Sequence, residues 1–347
     1  MASESTSRGK IVIIFGAGAS HGARVPPSPP LGKDLLVYLD RYLQVIEEHM
    51  PINASGLPFR ENQQLYQLRG LVENAKKRRW TYEQLIEHEV TERSPYNENL
   101  ALLNRLVVAA FIPPRTHWNP PIPRLDEALS ERADIYDDFL SKLKDKGCAP
   151  SNVIFVTLNY DLLLEQAIKR LGETYDYFLP GHERNQGYGL LKIHGSINWW
   201  GELGPFGPLE EDKPVPSFVT LTSRGPSYKT IRVEKDPYEA CIAAGAGDPI
   251  LAHYGPGKPI FVNSPTLGEI RSRAIAECKG AIQALIIGVH PPSSPQEDET
   301  LWEMFIALKL GRVLTRYVGL SPDTDIAVER FQFEPVSKTF EEFARTW

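Results

Sequence analysis

Residues 11–15, Ile-Val-Ile-Ile-Phe, form an unbroken apolar and mostly β-branched run that stops at Gly16-Ala17-Gly18-Ala19-Ser20. A strand without polar alternation has both faces covered, as in a parallel sheet between helical layers. Residues 153–157 (VIFVT), 190–193 (LLKI) and 284–289 (ALIIGV) repeat the theme. Segments 34–50, 62–92, 98–112, 126–146, 162–171, 266–280 and 297–312 carry helical periodicity, and 258–263 and 325–333 are expected as further strands. This alternation predicts an α/β fold, a Rossmann-like parallel sheet with helices on both faces. The stretch between the first two strands is too long for one crossover. It predicts a helical insertion lobe at residues 33–150 within a domain of residues 10–312, with 313–347 as an extension packing on it.

Composition narrows the function. A net charge of −6 over 347 residues argues against nucleic acid as a direct ligand. Cys148, Cys241 and Cys278 stand far apart with no CxxC pair, so no zinc ribbon is encoded, and few cysteines in odd number fit a reducing cytoplasm. No apolar run is long enough to span a membrane. Proline is in surplus: 29 residues, about 8 % against a usual ~5 %. The densest groups, Pro26, Pro27, Pro29, Pro30 and Pro291, Pro292, Pro295, follow the glycine loop and the 284–289 run, and are expected as stiff walls of a pocket.

In open α/β sheets, ligands bind beyond the carboxyl ends of the strands. Four such ends carry candidates: Gly16, Ala17, Gly18 and Ser20; Thr157, Asn159 and Asp161; His194; and Gly288 with His290. The glycine loop suits a phosphate cradle or a plain strand-to-helix turn. A dehydrogenase fingerprint fits worse, because His21 stands where its third glycine belongs and the ribose-binding acid is missing. Asn159 and Asp161 are either pocket groups or caps of the following helix. His194, followed by Gly195, is either a general base or a structural histidine.

Taken in order, GAGAS, TLNYD with its Leu-Leu-Leu-Glu helix start, and KIHGSINW resemble the sirtuin family. They are most similar to its zinc-free branch, the Sir-two-like NADase domains of bacterial antiphage defence systems. The resemblance spans residues 10–312, and Ile286, Ile287 and Gly288 with Asp298 look like its last nucleotide-contacting strand. It implies NAD+ as substrate, no metal, and cleavage of the nicotinamide–ribose bond through an oxocarbenium-like state. Gly16, Ala17, Gly18 and Ser20 would cradle the pyrophosphate, with Thr157, Gly288 and His290 beside the nucleotide. Asn159 would orient the ribose or attacking water, Asp161 would meet the carboxamide, and His194 would be the base. The resemblance also implies gating by homo-oligomerisation or a separately encoded partner, such as a helicase-type ATPase. Departures from deacylases are the absent zinc cysteines and the absent Asp-Phe-Arg after the glycine loop. Gly288-Val289-His290 also stands where a serine usually follows the glycine. A non-hydrolytic NAD+ or ADP-ribose sensor and an NAD+-dependent deacylase remain as alternatives.

Overall fold

The structure of the protein, a computed structural model, describes residues 9–22, 34–49, 62–92, 98–111, 135–179, 186–201, 219–222, 225–228, 231–235, 249–252 and 264–347. The 258–263 strand, the first proline cluster and residues 126–134 of an expected helix lie outside them.

The principal sheet contains β1 (Lys10–Phe15), β2 (Val153–Thr157), β3 (Tyr175–Asp176), β4 (Tyr188–Lys192), β10 (Ala281–Ile287), β11 (Leu314–Gly319) and β12 (Glu334–Ser337). Among the described residues it has seven strands in the order β12-β11-β10-β1-β2-β4-β3, every pair parallel. The chain leaves β1 for β2 on one side and returns to β10 on the other. The switch point of this doubly wound sheet therefore lies between β1 and β10, where ligands bind in such folds. Register sharpens that edge. Phe15 stands level with Thr157 on one side and Ile287 on the other, so the following turns emerge together. Val12, Ile13, Ile14 and Phe15 are fully buried, as a central strand covered on both faces requires.

A second core forms inside the connection from β1 to β2. Helices Leu35–His49, Asn62–Lys77, Tyr82–Glu92 and Glu98–Phe111 bury Leu39, Leu43, Leu68, Val72, Leu103 and Leu106 together. The periodic run expected as one element over 62–92 is two helices, because Arg79 takes a left-handed φ of +56°. Thr81 and Gln84 then start the second helix with reciprocal bonds, Thr81 N–H to Gln84 Oε1 at 2.9 Å and Gln84 N–H to Thr81 Oγ1 at 3.3 Å.

A small antiparallel sheet links the two cores: β5 (Gly195–Gly201) flanked by β8 (Ile231–Val233) and β9 (Pro249–Leu251). A hairpin, β6 (Val219–Thr222) with β7 (Gly225–Tyr228), stands beside it in sequence. Side chains alternate along a strand. Trp199 accordingly packs in the core of the main sheet and Trp200 in the core of the helical lobe, both fully buried. One strand thus ties the lobe to the sheet.

Residues 313–347, expected as an extension packing on the domain, supply β11 and β12 of the sheet. Residues 325–333 are not a strand. They run through helix Asp323–Ile326 and a wide π-turn, Ala327–Phe331, which buries Ala327 and Phe331 on one side. Phe331 then stacks against Phe333 at 5.6 Å and meets Phe305 edge-on at 5.0 Å, so the aromatic spacing that mimics strand alternation serves a helical turn. Among the described residues no helix is long and apolar enough to cross a membrane.

Candidate active site

The glycine loop is held by backbone, not only free to receive a ligand. Gly16 N–H donates to Ile287 O and Gly18 N–H to Gly288 O, both at 3.0 Å. The approach explains the residue types. A Cβ on Gly16 would lie 2.4 Å from Gly288 O, and one on Gly288 would lie 2.3 Å from Ala19 N. Gly288 also takes a φ of +61°, favoured by glycine. The two glycine turns are therefore one interlocked unit at the switch point.

Asn159 anchors this unit to the end of β2. Its Nδ2 donates to Gly16 O at 3.0 Å and Ser20 Oγ at 2.8 Å, and its backbone N–H reaches Thr157 Oγ1 at 3.1 Å. Ser20 in turn contacts Tyr136 Oη at 3.1 Å and the Asp161 carboxylate. Asp161 also accepts from Leu163 N–H at 3.1 Å, which ties it to the first residue of helix Leu163–Arg170, and it faces the cavity at once. Burial pushes its carboxyl up from the ordinary 3.8, while the Lys192 charge, the Leu163 amide and the Ser20 hydroxyl pull it down.

Lys192, at the end of β4, is fully buried under this turn. Its ammonium bonds Glu165 Oε1 at 2.8 Å and the carbonyl of Asp161. Glu165 also accepts from Tyr177 Oη at 2.9 Å. A buried charge needs such partners. The network fixes the backbone of the Asn159–Asp161 turn from below, a role that sequence reading missed. A lysine at the end of an otherwise apolar strand was its signal.

His194 follows β4 at the same edge. Its Nε2 stands 3.4 Å from Asp298 Oδ2, and the ring is also hydrogen-bonded at the Leu158 backbone. Burial pushes its pKa below the ordinary 6.5, against the pull of Asp298; Arg271 adds to the lowering. The ring is therefore neutral at neutral pH, the form able to accept a proton. Gly195 follows with a φ of +86°, and a Cβ there would lie 2.0 Å from Ile250 O, so glycine lets the chain turn sharply into β5.

These residues line one cavity of about 1030 Å³. Gly16, Ala17, Gly18, Ser20, Asn159, Asp161, His194, Gly288 and His290 all border it; Thr157 does not, and instead supports the Asn159 turn from behind. Its far walls come from Leu35, Tyr82 and Phe111 of the helical lobe and from Lys338, Thr339 and Phe340 near the C-terminus. Of the second proline cluster, Pro291 and Pro292 are buried and Pro292 lines the cavity, whereas Pro295 is exposed. His290 sits at the rim, its Nδ1 2.8 Å from Asp323 Oδ1. Among the described residues no group of three or more His, Cys, Asp or Glu is placed to hold a metal ion.

Comparison with known proteins bears on this same segment. Residues 153–223 match the family described as SIR2-like domain, a stretch that contains Asn159, Asp161 and His194. No curated protein matches the sequence. The chain is also similar to solved structures of Sir2 enzymes. One, concerned with the mechanism and regulation of Sir2 enzymes, is 13 % identical with a TM-score of 0.44, covering 98 % of this chain and 90 % of that one. A Sir2–p53 peptide–NAD+ complex is 12 % identical with a TM-score of 0.40, covering 97 % and 90 %. A Sir2 homologue bound to ADP ribose is 12 % identical with a TM-score of 0.37, covering 98 % and 92 %.

Proposed function

We propose that the chain is an NAD+ hydrolase that breaks the nicotinamide–ribose bond to give nicotinamide and ADP-ribose. One observation carries the reading. Asn159, Asp161 and His194, all within the segment similar to SIR2-like domains, border one cavity with the interlocked glycine turns at the switch point. NAD+ is the substrate, and no resident metal is called on. A volume of about 1030 Å³ accommodates a dinucleotide.

In this reading Gly16, Ala17, Gly18 and Ser20 lie along the pyrophosphate, where the lack of bulky side chains lets the backbone approach. Gly288 and His290 flank the adenosine side, and Thr157 supports the turn. The carboxylate of Asp161 receives the carboxamide N–H of nicotinamide, and Asn159 orients the nucleophilic water. The C–N bond breaks with its electron pair passing to the positively charged ring, which leaves neutral. Water oxygen forms the new C–O bond, and its proton passes to the neutral ring of His194 and then to solvent. One proton is released per NAD+. The protein supplies position and a field suited to an oxocarbenium-like state.

Such an activity empties a cell of NAD+, so it has to be held off until needed. The proposal therefore includes gating by homo-oligomerisation or by a separately encoded partner, such as a helicase-type ATPase, and a role as a cytoplasmic effector of antiphage defence. The test incubates the purified chain with NAD+, alone and with the products of adjacent genes, and follows both products by chromatography. Equal release of nicotinamide and ADP-ribose is expected. Tight NAD+ binding by calorimetry without product would make it a sensor. Acceleration by an acyl-lysine peptide would make it a deacylase.

A further inference from the structure

The loop before helix Glu299–Leu310 brings a carboxylate to the candidate base. Asp298 is 8 % exposed and uses its two oxygens differently. Oδ1 accepts from Leu301 N–H at 2.8 Å and caps the helix; Oδ2 faces His194 Nε2 at 3.4 Å. Both residues line the cavity.

The surroundings of the ring define what this second oxygen does. The histidine ring is also hydrogen-bonded at the Leu158 backbone, from the turn after β2. From helix Pro265–Lys279, Arg271 presents a fixed positive charge; its Nε donates to Ile193 O at 2.8 Å, next to His194 in sequence. The Tyr160 ring lies 6.4 Å away, centroid to centroid, its hydroxyl turned to Ala252 O at 2.5 Å. Once the ring has taken a proton, both nitrogens carry hydrogen, and the new charge sits in a buried site already facing a guanidinium. Asp298 Oδ2 is the facing anion placed to receive that second N–H and offset the charge.

We propose that Asp298 is a positioning residue for the reaction: its Oδ2 stabilises the imidazolium formed when His194 Nε2 accepts the proton of the attacking water. The inference rests on His194 being the base of the proposed hydrolase. The neutral ring is held through its other nitrogen at the Leu158 backbone, and the carboxylate facing Nε2 is fixed by its own helix cap.

The test separates the two oxygens. Asp298→Asn keeps a capping carbonyl for Leu301 and removes the charge facing His194. The His194 titration is followed by nitrogen-detected NMR of the imidazole, assigned with His194→Asn, alongside NAD+ turnover against pH. In Asp298→Asn the ring pKa falls by about one unit, as loss of an adjacent opposite charge predicts. Turnover number falls by roughly 10²-fold, the scale of a positioned acid–base contribution, while KM stays within about threefold and the melting temperature is kept. Asp298→Ser, which also retains a capping oxygen, repeats the measurement if the first variant does not fold. An unmoved ring pKa overturns the inference whatever the turnover does. So does an unmoved turnover number in a chain that cleaves NAD+. If the wild type does not cleave NAD+ at all, the hydrolase reading fails on its own. The titration then decides the His194–Asp298 pair alone.

Discussion

Gly288→Ala probes the interlocked glycine turns most sharply. The residue holds φ at +61°, and an added Cβ would lie 2.3 Å from Ala19 N and 2.7 Å from Gly18 C. Those neighbours are backbone atoms of the glycine loop and cannot swing aside as a side chain can. The left-handed conformation costs an L-residue about 1–2 kcal/mol, and forcing atoms into a filled site costs about 1–3 kcal/mol. The sum is about 2–5 kcal/mol. Unfolding entropy of about 2.1 cal/mol/K per residue over 347 residues gives roughly 0.7 kcal/mol/K. The melting temperature should therefore drop by about 3–7 °C, read by scanning calorimetry. The clash also pushes residues 16–20 away from β10, which strains the Asn159 bonds to Gly16 O and Ser20 Oγ. Nicotinamide release should fall about tenfold or more with the geometry. Gly268→Ala is the control, because nothing lies within 4 Å of its added methyl in a helix. It should raise stability by about 0.4–1 kcal/mol. A Gly288→Ala protein with unchanged melting temperature and turnover would refute the interlock.

Four further outcomes follow. Lys192→Met leaves Glu165 buried without its cation and should cost about 3–5 kcal/mol in denaturant unfolding, with Lys192→Met/Glu165→Leu recovering much of it. The lowered pKa of His194 keeps the base neutral as pH falls through 6.5, so kcat/KM should hold there and decline only further into acid; an acid limb at or above 6.5 would contradict this. The same shift acts on stability. The unfolded ring takes up a proton near 6.5 while the folded ring does not, so the His194 contribution, present above 6.5, is lost as pH falls toward the folded value. Thr339→Ala breaks the reciprocal cap with Glu342 at helix Phe340–Thr346 and should cost about 1 kcal/mol in thermal unfolding.

The strands buried on both faces were legible because unbroken apolar runs have few other uses. Residues 153–157 form β2 with the expected bounds, and the helix expected at 98–112 is described over Glu98–Phe111. The break near Arg79 was carried by Thr81 and Gln84, a capping pair that periodicity alone passes over. β11 and β12 escaped notice for a different reason. At the sheet margin Leu314 and Arg316 are not buried, and β12 has no fully buried residue, so neither shows an apolar run. β5 was hidden because it serves two cores at once, with the adjacent Trp199 and Trp200 each buried in a different one. The candidate site was legible as strand ends, since Gly16, Asn159, His194 and Gly288 all emerge at one edge of the sheet. Its supports Lys192 and Arg271 were not, because they act through contacts far apart in sequence, and Asp298 was legible only beside the nucleotide, not as the group facing His194.

The most direct test of the central claim is nicotinamide release from NAD+ by the wild type and by His194→Ala and Asn159→Ala. Nicotinamide and ADP-ribose are expected in equal amounts from the wild type, once any gating partner is supplied, with loss of at least about 10²-fold in both variants. Full activity in either variant, or a wild type that binds NAD+ and leaves it intact with that partner present, would contradict the hydrolase assignment.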